Sequence, residues 1–268
     1  MKHEEFFRKH PIFTSAELAE YLSNNGRVGS RTKEALLAYH KKTGRILSVR
    51  RGLYAVIPLG ADPNSYPVDL FLIAAKLTED GVLTHHTALE IHGRAYSVQE
   101  YFIYSSSRPL NPVSFRSYVF RGVKFPKALH DSGNWNFGVS IVERKGVEIR
   151  VTSLERTLVD VLDRPDISGS WEEIWRSLES VEFFDLDKVV EYALLLQNAT
   201  TTAKVGFFLD QHRNPLMVED RHLKPLYDLR PRQPHYLDRT QRKSGRLVSE
   251  WNLVVPIEVL ERRWSEVL

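Results

Sequence analysis

Apolar and polar positions along the chain follow helical spacing in some stretches and strand alternation in others. Glu4 to Lys9, with the apolar pair Phe6 and Phe7, predicts a short helix that ends ahead of Pro11, because a residue before proline is pushed out of helical geometry. Thr14-Ser15-Ala16-Glu17 has capping-box form and predicts a helix start ahead of Leu18, Ala19, Tyr21 and Leu22. Asn24, Asn25, Gly26 and Gly29 break that helix. A second helix is expected from Ser30, as N-cap, to Gly44, with Ala35, Leu36 and Tyr39 facing the core and Arg31, Thr32, Lys33 and Lys42 on the opposite side. Ile46 to Val49 and Leu53 to Ile57 read as strands joined through Arg50, Arg51 and Gly52. Helix, turn, helix and hairpin is the order of a winged helix-turn-helix, with Arg31, Thr32 and Lys33 as candidate major-groove contacts and the hairpin as the wing.

Asp62, Pro63, Asn64 and Pro67 form a turn-rich segment that predicts a domain boundary, giving domains of residues 1–61 and 62–268. Beyond it, Val68 to Leu77 reads as a buried helix, and Thr84 as the cap of a helix carrying Ala88, Leu89 and Ile91 and ended by Gly93. Gln99 to Tyr104, Tyr118 to Lys124, Gly138 to Glu143 and Val147 to Val151 read as strands. Thr152-Ser153-Leu154-Glu155 repeats the capping-box form and heads a helix with Leu154, Leu158, Val161 and Leu162 on one face, ended by Pro165. Glu172 to Ser180, Leu186 to Gln197 and Lys204 to His212 follow as helices, Leu229 to Leu237 as extended chain, and Trp251 to Pro256 as a strand before a helical end. The expected class is α+β: an N-terminal winged helix-turn-helix followed by a larger mixed α/β domain.

The formal net charge is only +3, but its distribution is uneven. Residues 1–60 hold 11 Lys and Arg against 5 Asp and Glu, residues 61–220 hold 16 against 23, and residues 221–246 hold 8 against 2. Basic clusters flanking an acidic body suit contact with a polyanion, since neutralised phosphates release counterions, although solvated surface gives the same count. The second cluster adds Arg230, Arg232, Arg239, Arg242, Lys243 and Arg246 as a candidate second patch. The absence of cysteine excludes disulfides, thiolate nucleophiles and cysteine-ligated zinc. No apolar run approaches the ~20 residues that span a bilayer, and the first ten residues lack a signal-peptide core, so a soluble cytoplasmic protein is expected.

Catalytic motifs are missing: there is no GxxxxGK[ST] loop, GxGxxG turn, GxSxG elbow or HExxH helix. His85, His86 and His92 lack a third convergent ligand and are read as structural rather than metal-binding. Arg156, Asp160 and Asp163 are read as ion pairing or partner contact, since i, i+4 charge pairs are common on solvated helices. Glu143 and Lys145, a carboxylate and lysine two apart at a strand end, leave open a metal-dependent nuclease delivered to DNA by the N-terminal domain.

Taken in order, RRGLYAVIP, LTHHTALEIHG, VTSLERTLVDVL and the PHYLD and WNLVVP tail resemble the AbiEi antitoxin family of bacterial abortive-infection toxin–antitoxin systems. The resemblance covers almost the whole chain. It implies a repressor that binds inverted repeats of double-stranded DNA in its own promoter, and a larger domain that opposes a nucleotidyltransferase-like toxin without a stable complex being required. It implies no catalysis and no cofactor. By motif match the wing falls on Arg50, Arg51, Gly52 and Tyr54, the recognition helix on Arg31, Thr32 and Lys33, and the second-domain signature on Thr152, Glu155, Arg156 and Asp160. The Asn24–Gly29 turn is longer than the family's usual one. A further reading is a protein-binding module whose acidic body docks onto a basic partner.

Overall fold

The computed structural model describes residues 3–26, 30–238, 245–262 and 264, with Ser30 described by its backbone alone. Among them the chain is α+β, with twelve α-helices and three sheets. No helix of the described residues is long and apolar enough to cross a membrane. Contacts gather the chain into two compact units, one of residues 1–83, 100–124 and 141–150, the other of residues 84–99, 125–140 and 151–268.

The first unit opens with α1 (Glu4–Lys9), β1 (Ile12–Thr14), α2 (Ser15–Asn24), α3 (Ser30–Lys42), β2 (Ile46–Arg50) and β3 (Leu53–Val56). Thr14 caps α2 and Glu17 reaches back to the Thr14 amide, so both halves of the capping box form. Gly44 takes a left-handed φ of 69° beyond α3, where its Cβ-less backbone also lets Pro63 approach closely. The three strands form a sheet ordered β1-β3-β2, antiparallel throughout, with Phe13 opposite Tyr54 and a bulge between Ser48 and Arg50. β1 escaped the sequence reading because three residues are too few to show alternation. Phe6, Phe7, Phe13, Leu18, Leu22, Leu37, Ile46 and Tyr54 make the core of this segment.

The buried face of α3 differs from the expected one. Leu37 is the buried residue and Leu36 packs beside the core, while Ala35 is exposed and Tyr39 is 62% exposed. The cause is the position of α1: His40, three residues beyond Leu37, packs edge-on against Phe7, which turns the Leu36–Leu37–His40 stripe inward and the Ala35–Tyr39 stripe outward.

The rest of this unit is α4 (Leu70–Ala75), capped by Asp69, on a six-stranded sheet. Its strands are β4 (Val82–Leu83), β5 (Tyr101–Ser106), β6 (Val113–Phe115), β7 (Tyr118–Lys124), β8 (Val139–Arg144) and β9 (Val147–Thr152), ordered β6-β7-β5-β4-β9-β8. β5 and β7 run parallel, from Tyr101 opposite Val119 to Ser106 opposite Lys124. The turn-rich segment after β3 is pinned here, since Arg116 donates to the Tyr66 and Pro63 carbonyls at 2.7 Å each.

The second unit contains α5 (His86–Ile91), α6 (Lys127–Asp131), α7 (Leu154–Asp163), α8 (Trp171–Glu179), α9 (Leu186–Leu195), α10 (Ala199–Gln211), α11 (Asp220–Asp228) and α12 (Ile257–Glu261). A small sheet of β10 (His235–Tyr236), β11 (Gly245–Val248) and β12 (Leu253–Pro256) completes it, with β12 central. α7 packs against α5, α8, α9 and α10, and every residue from Arg156 to Leu162 is buried. Its cap is Ser153, whose hydroxyl accepts from the Arg156 amide, rather than Thr152, which belongs to β9 and bonds Thr157. Thr84 likewise does not cap α5; its hydroxyl donates to Asp160.

In α10 the backbone at Gly206 is pressed against Trp251, where an added Cβ would stand 2.1 Å from Cζ3 of the buried indole. Gly206→Ala is therefore expected to destabilise the protein by about 1–3 kcal/mol through overpacking, lowering the urea midpoint without changing the slope.

Candidate functional site

The outward face of α3 is a stripe at helical spacing. Arg31, Ala35, Tyr39 and Lys42 recur at i, i+4, i+8 and i+11, with Thr32 beside them, and all are exposed. Neither Arg31 nor Lys42 has a side-chain partner among the described residues. Lys33 is half-buried and lies on the stripe of Leu36, Leu37 and His40, away from the Arg31 face. Tyr39, expected in the core, instead adds an exposed ring to this surface, a placement that only the docking of α1 decides.

The hairpin separates its two arginines. Arg51 is exposed in a two-residue turn with Gly52, whose φ is 82°, and has no partner among the described residues. The Gly52 carbonyl accepts from the Ser15 amide at 2.8 Å, which ties the tip to the start of α2. Arg50 turns back instead and donates from Nη2 to the Leu77 carbonyl at 2.9 Å. Tyr54 does not join the exposed set: it is 8% exposed and stacks on Phe13. Arg45 and Lys76 are committed inside the fold, Arg45 to Glu4 at 2.6 Å and Lys76 to Glu17, whereas Lys41, beside Lys42 on α3, is exposed without a side-chain partner among the described residues.

The second basic stretch is less open than its composition suggests. Arg230 is stacked over the Tyr227 ring at 3.5 Å and donates to the Tyr227 carbonyl, and Arg246 lies 3.8 Å from Glu261. Arg232 is exposed, whereas Arg239, Arg242 and Lys243 lie outside the described residues. The start of this stretch, as far as Asp228, forms α11, missed in the sequence because Pro225 falls inside it.

Thr152, Arg156 and Asp160 form a buried polar centre rather than a solvated surface. Arg156 and Asp160 are 1% and 4% exposed. Nε of Arg156 lies 3.3 Å from Asp160 Oδ2, its Nη1 donates to the Phe137 carbonyl, and Asp160 also accepts from Tyr192 at 2.7 Å and Thr84 at 3.2 Å. Burial works against the Arg156 charge, but Tyr192 and Asp160 outweigh it and raise its pKa. Burial and the neighbouring Asp160 carry the Tyr192 hydroxyl well above its ordinary value. Thr152 shares its hydroxyl with Thr157, and its carbonyl lies 2.8 Å from His92 Nε2. Glu155, half-buried, accepts from the Asp185 amide.

His85 and His86 nearby are both buried, and their environments are opposite. His86 lies 3.0 Å from Glu173 and 3.0 Å from Glu90; burial pushes its pKa down, but these carboxylates outweigh it and the net direction is up. Burial raises Glu173, yet the bonds from His86 and Ser97 hold it at about 2. His85 is buried without a carboxylate bond, its Nδ1 has no hydrogen-bond partner, and burial lowers it to about 4. Among the described residues no three His, Asp or Glu side chains converge as metal ligands. Glu143 faces solvent near the end of β8, while Lys145, two residues on, reaches Asp69 at 3.4 Å. Lys145 and Gly146 both have positive φ, the geometry of a tight hairpin turn.

No family model matches the chain, and no curated relative matches it. Its fold is similar to that of the crystal structure of the RV2827C protein from Mycobacterium tuberculosis, with a TM-score of 0.60 at 15% identity over 96% of this chain and 92% of that one. The likeness is one of fold, and it runs almost end to end.

The titrating groups of the second unit set a pH dependence. The unfolded chain protonates His85 near 6.5 and the folded chain only near 4, so folding stability rises with pH across that window. Glu173 adds stability above its ordinary 4.5 that is lost as pH falls towards 2. The raised His86 acts in the other direction, its contribution being complete below 6.5 and lost as pH climbs through its folded value. His85→Asn is expected to flatten the stability profile between pH 6.5 and 4 by up to about 1.4 kcal/mol per pH unit, measured by urea unfolding at each pH; a slope equal to that of the parent protein would contradict it.

Proposed function

We propose that this chain is a sequence-specific DNA-binding repressor, and that it serves as the antitoxin of a bacterial abortive-infection system of the AbiEi type. The observation that carries the DNA reading is the exposed stripe on α3, Arg31 to Lys42, whose cations have no side-chain partner among the described residues, accompanied by Arg51 at the tip of the β2–β3 hairpin. The order α1, β1, α2, α3, β2, β3 and the three-stranded sheet support reading this segment as a winged helix-turn-helix with α3 as recognition helix. An exposed guanidinium without a carboxylate is free to exchange its counterions for phosphate or to bond a guanine edge. Arg31 and Thr32 are the base-reading candidates, Lys42 and Arg51 the phosphate contacts. Arg50 and Tyr54 position the hairpin from inside.

The antitoxin role rests on the resemblance of the ordered motifs. Thr152, Arg156 and Asp160 contribute to it by holding α7 in the core of the second unit, so the toxin, expected to be nucleotidyltransferase-like, is countered through the unit's surface or through repression. The nuclease reading gains nothing from Lys145, which is engaged by Asp69.

Fluorescence anisotropy with the duplex upstream of the gene and a scrambled duplex tests the repressor reading. Arg31→Ala is expected to cost about 1–3 kcal/mol on the promoter duplex and narrow the difference between the two duplexes. Arg51→Ala should weaken both alike and reduce the salt slope by about 1, whereas Arg50→Gln should leave that slope unchanged. Equal affinity of the intact protein for both duplexes would overturn specificity.

A further inference from the structure

A groove of about 570 Å³ opens in the first unit between α1 and the segment following β3. That volume falls within the ~300–1,000 Å³ of small-molecule sites. Phe7 and Val56 form its buried apolar floor, Tyr66 is half-buried at its side, and Leu59 stands 57% exposed at its edge. Apolar side chains left open beside a concave surface gain by being covered.

One cation is embedded in this apolar wall. The Arg45 side chain is only 11% exposed and its guanidinium lies 5.4 Å from the Phe7 ring centre. Nη2 donates to Glu4 Oε2 at 2.6 Å, but Nε and Nη1 are buried with no hydrogen-bond partner. A buried donor without an acceptor carries its full desolvation cost, and most such groups in folded proteins are satisfied by a partner, water or ion. The rim is asymmetric as well: Glu5 is taken by Lys9 at 2.8 Å, whereas Arg8 is exposed and has no ion-pair partner among the described residues.

We propose that this groove binds a small monocarboxylate with an aromatic or alkyl body, its carboxylate meeting Arg45 and its body lying along Phe7, Val56, Leu59 and Tyr66. A single negative charge matches the surplus. A polyphosphate would face Glu4 and Glu5 with too few donors, and a cation would face Arg8 and Arg45. The Arg45 amide also bonds the His40 carbonyl at 2.9 Å, so the site is joined directly to the end of α3.

Isothermal titration of the full chain with 1-naphthoate, benzoate and octanoate, with methyl 1-naphthoate as the uncharged control, tests this. Saturable binding of at least one acid at a 1:1 ratio is expected, with the ester about tenfold weaker than its acid. Arg45→Lys keeps the charge but loses the planar donor set, and is expected to weaken binding about tenfold. Leu59→Ser, at an exposed position that cannot disturb the core, is expected to weaken it several-fold, which keeps the proposal testable if Arg45→Lys lowers thermal stability. Absence of saturation by all three acids, equal binding of acid and ester, or unchanged binding by Leu59→Ser would each overturn it. No nucleic acid enters the measurement, so its outcome is separate from that of the repressor reading.

Discussion

A basic side chain buried against an acceptor inside a fold is out of reach of a phosphate backbone outside it, and the basic residues of the first sixty positions are divided along this line. Arg45 is held by Glu4 and lies over Phe7, Glu17 is held by Lys76, and Arg50 is bonded to the Leu77 carbonyl. These interactions fix α1, α2 and the hairpin against their surroundings. Arg8, Arg31, Lys41, Lys42 and Arg51 point outward without a side-chain partner among the described residues, and Thr32 and Tyr39 are exposed beside Arg31 and Lys42 on α3. The internal pairs thus fix the elements that carry the exposed cations. Surface ion pairs add little stability, so leaving exposed cations unpaired costs the fold almost nothing.

The second unit uses its charges differently. Arg156, Asp160, Tyr192 and Thr84 form one bonded set in the interior, and His86 lies between Glu90 and Glu173 in another. Such networks are poor sources of net stability, because desolvation offsets most of the attraction, but removing one member leaves the others unsatisfied. α7, covered on every side, is consequently fixed in rotation as well as in position. A motif that stands out in the sequence for its charges is in this case part of the core, and the surface that would act on another protein must be carried by other residues.

Local signals were legible and facing was less so. The Thr14–Glu17 capping box, the left-handed Gly44 and the bounds of α1 and β7 are all written in a few adjacent residues. The rotation of α3 was not, because Ala35, Leu36, Leu37 and Tyr39 offer two apolar stripes of similar strength and the choice depends on Phe7, a residue more than twenty-five positions away. Burial of Tyr54 and the capture of Arg50 depend in the same way on Phe13 and Leu77. Ser153 rather than Thr152 caps α7 because Thr152 is claimed by β9, and an i, i+4 pair such as Arg156 and Asp160 reads identically on a buried and a solvated helix. The segment β1 and the helix α11 were lost to brevity and to Pro225 respectively.

The central claim is that α3 and the hairpin tip meet DNA. Backbone hydrogen exchange of the full chain, followed by mass spectrometry with and without the upstream duplex, addresses it most directly. Slowed exchange in peptides covering residues 30–42 and 50–53, with little change across the buried α7, is the predicted result. Protection confined to the second unit, with residues 30–53 unchanged on a duplex that demonstrably binds, would contradict the account.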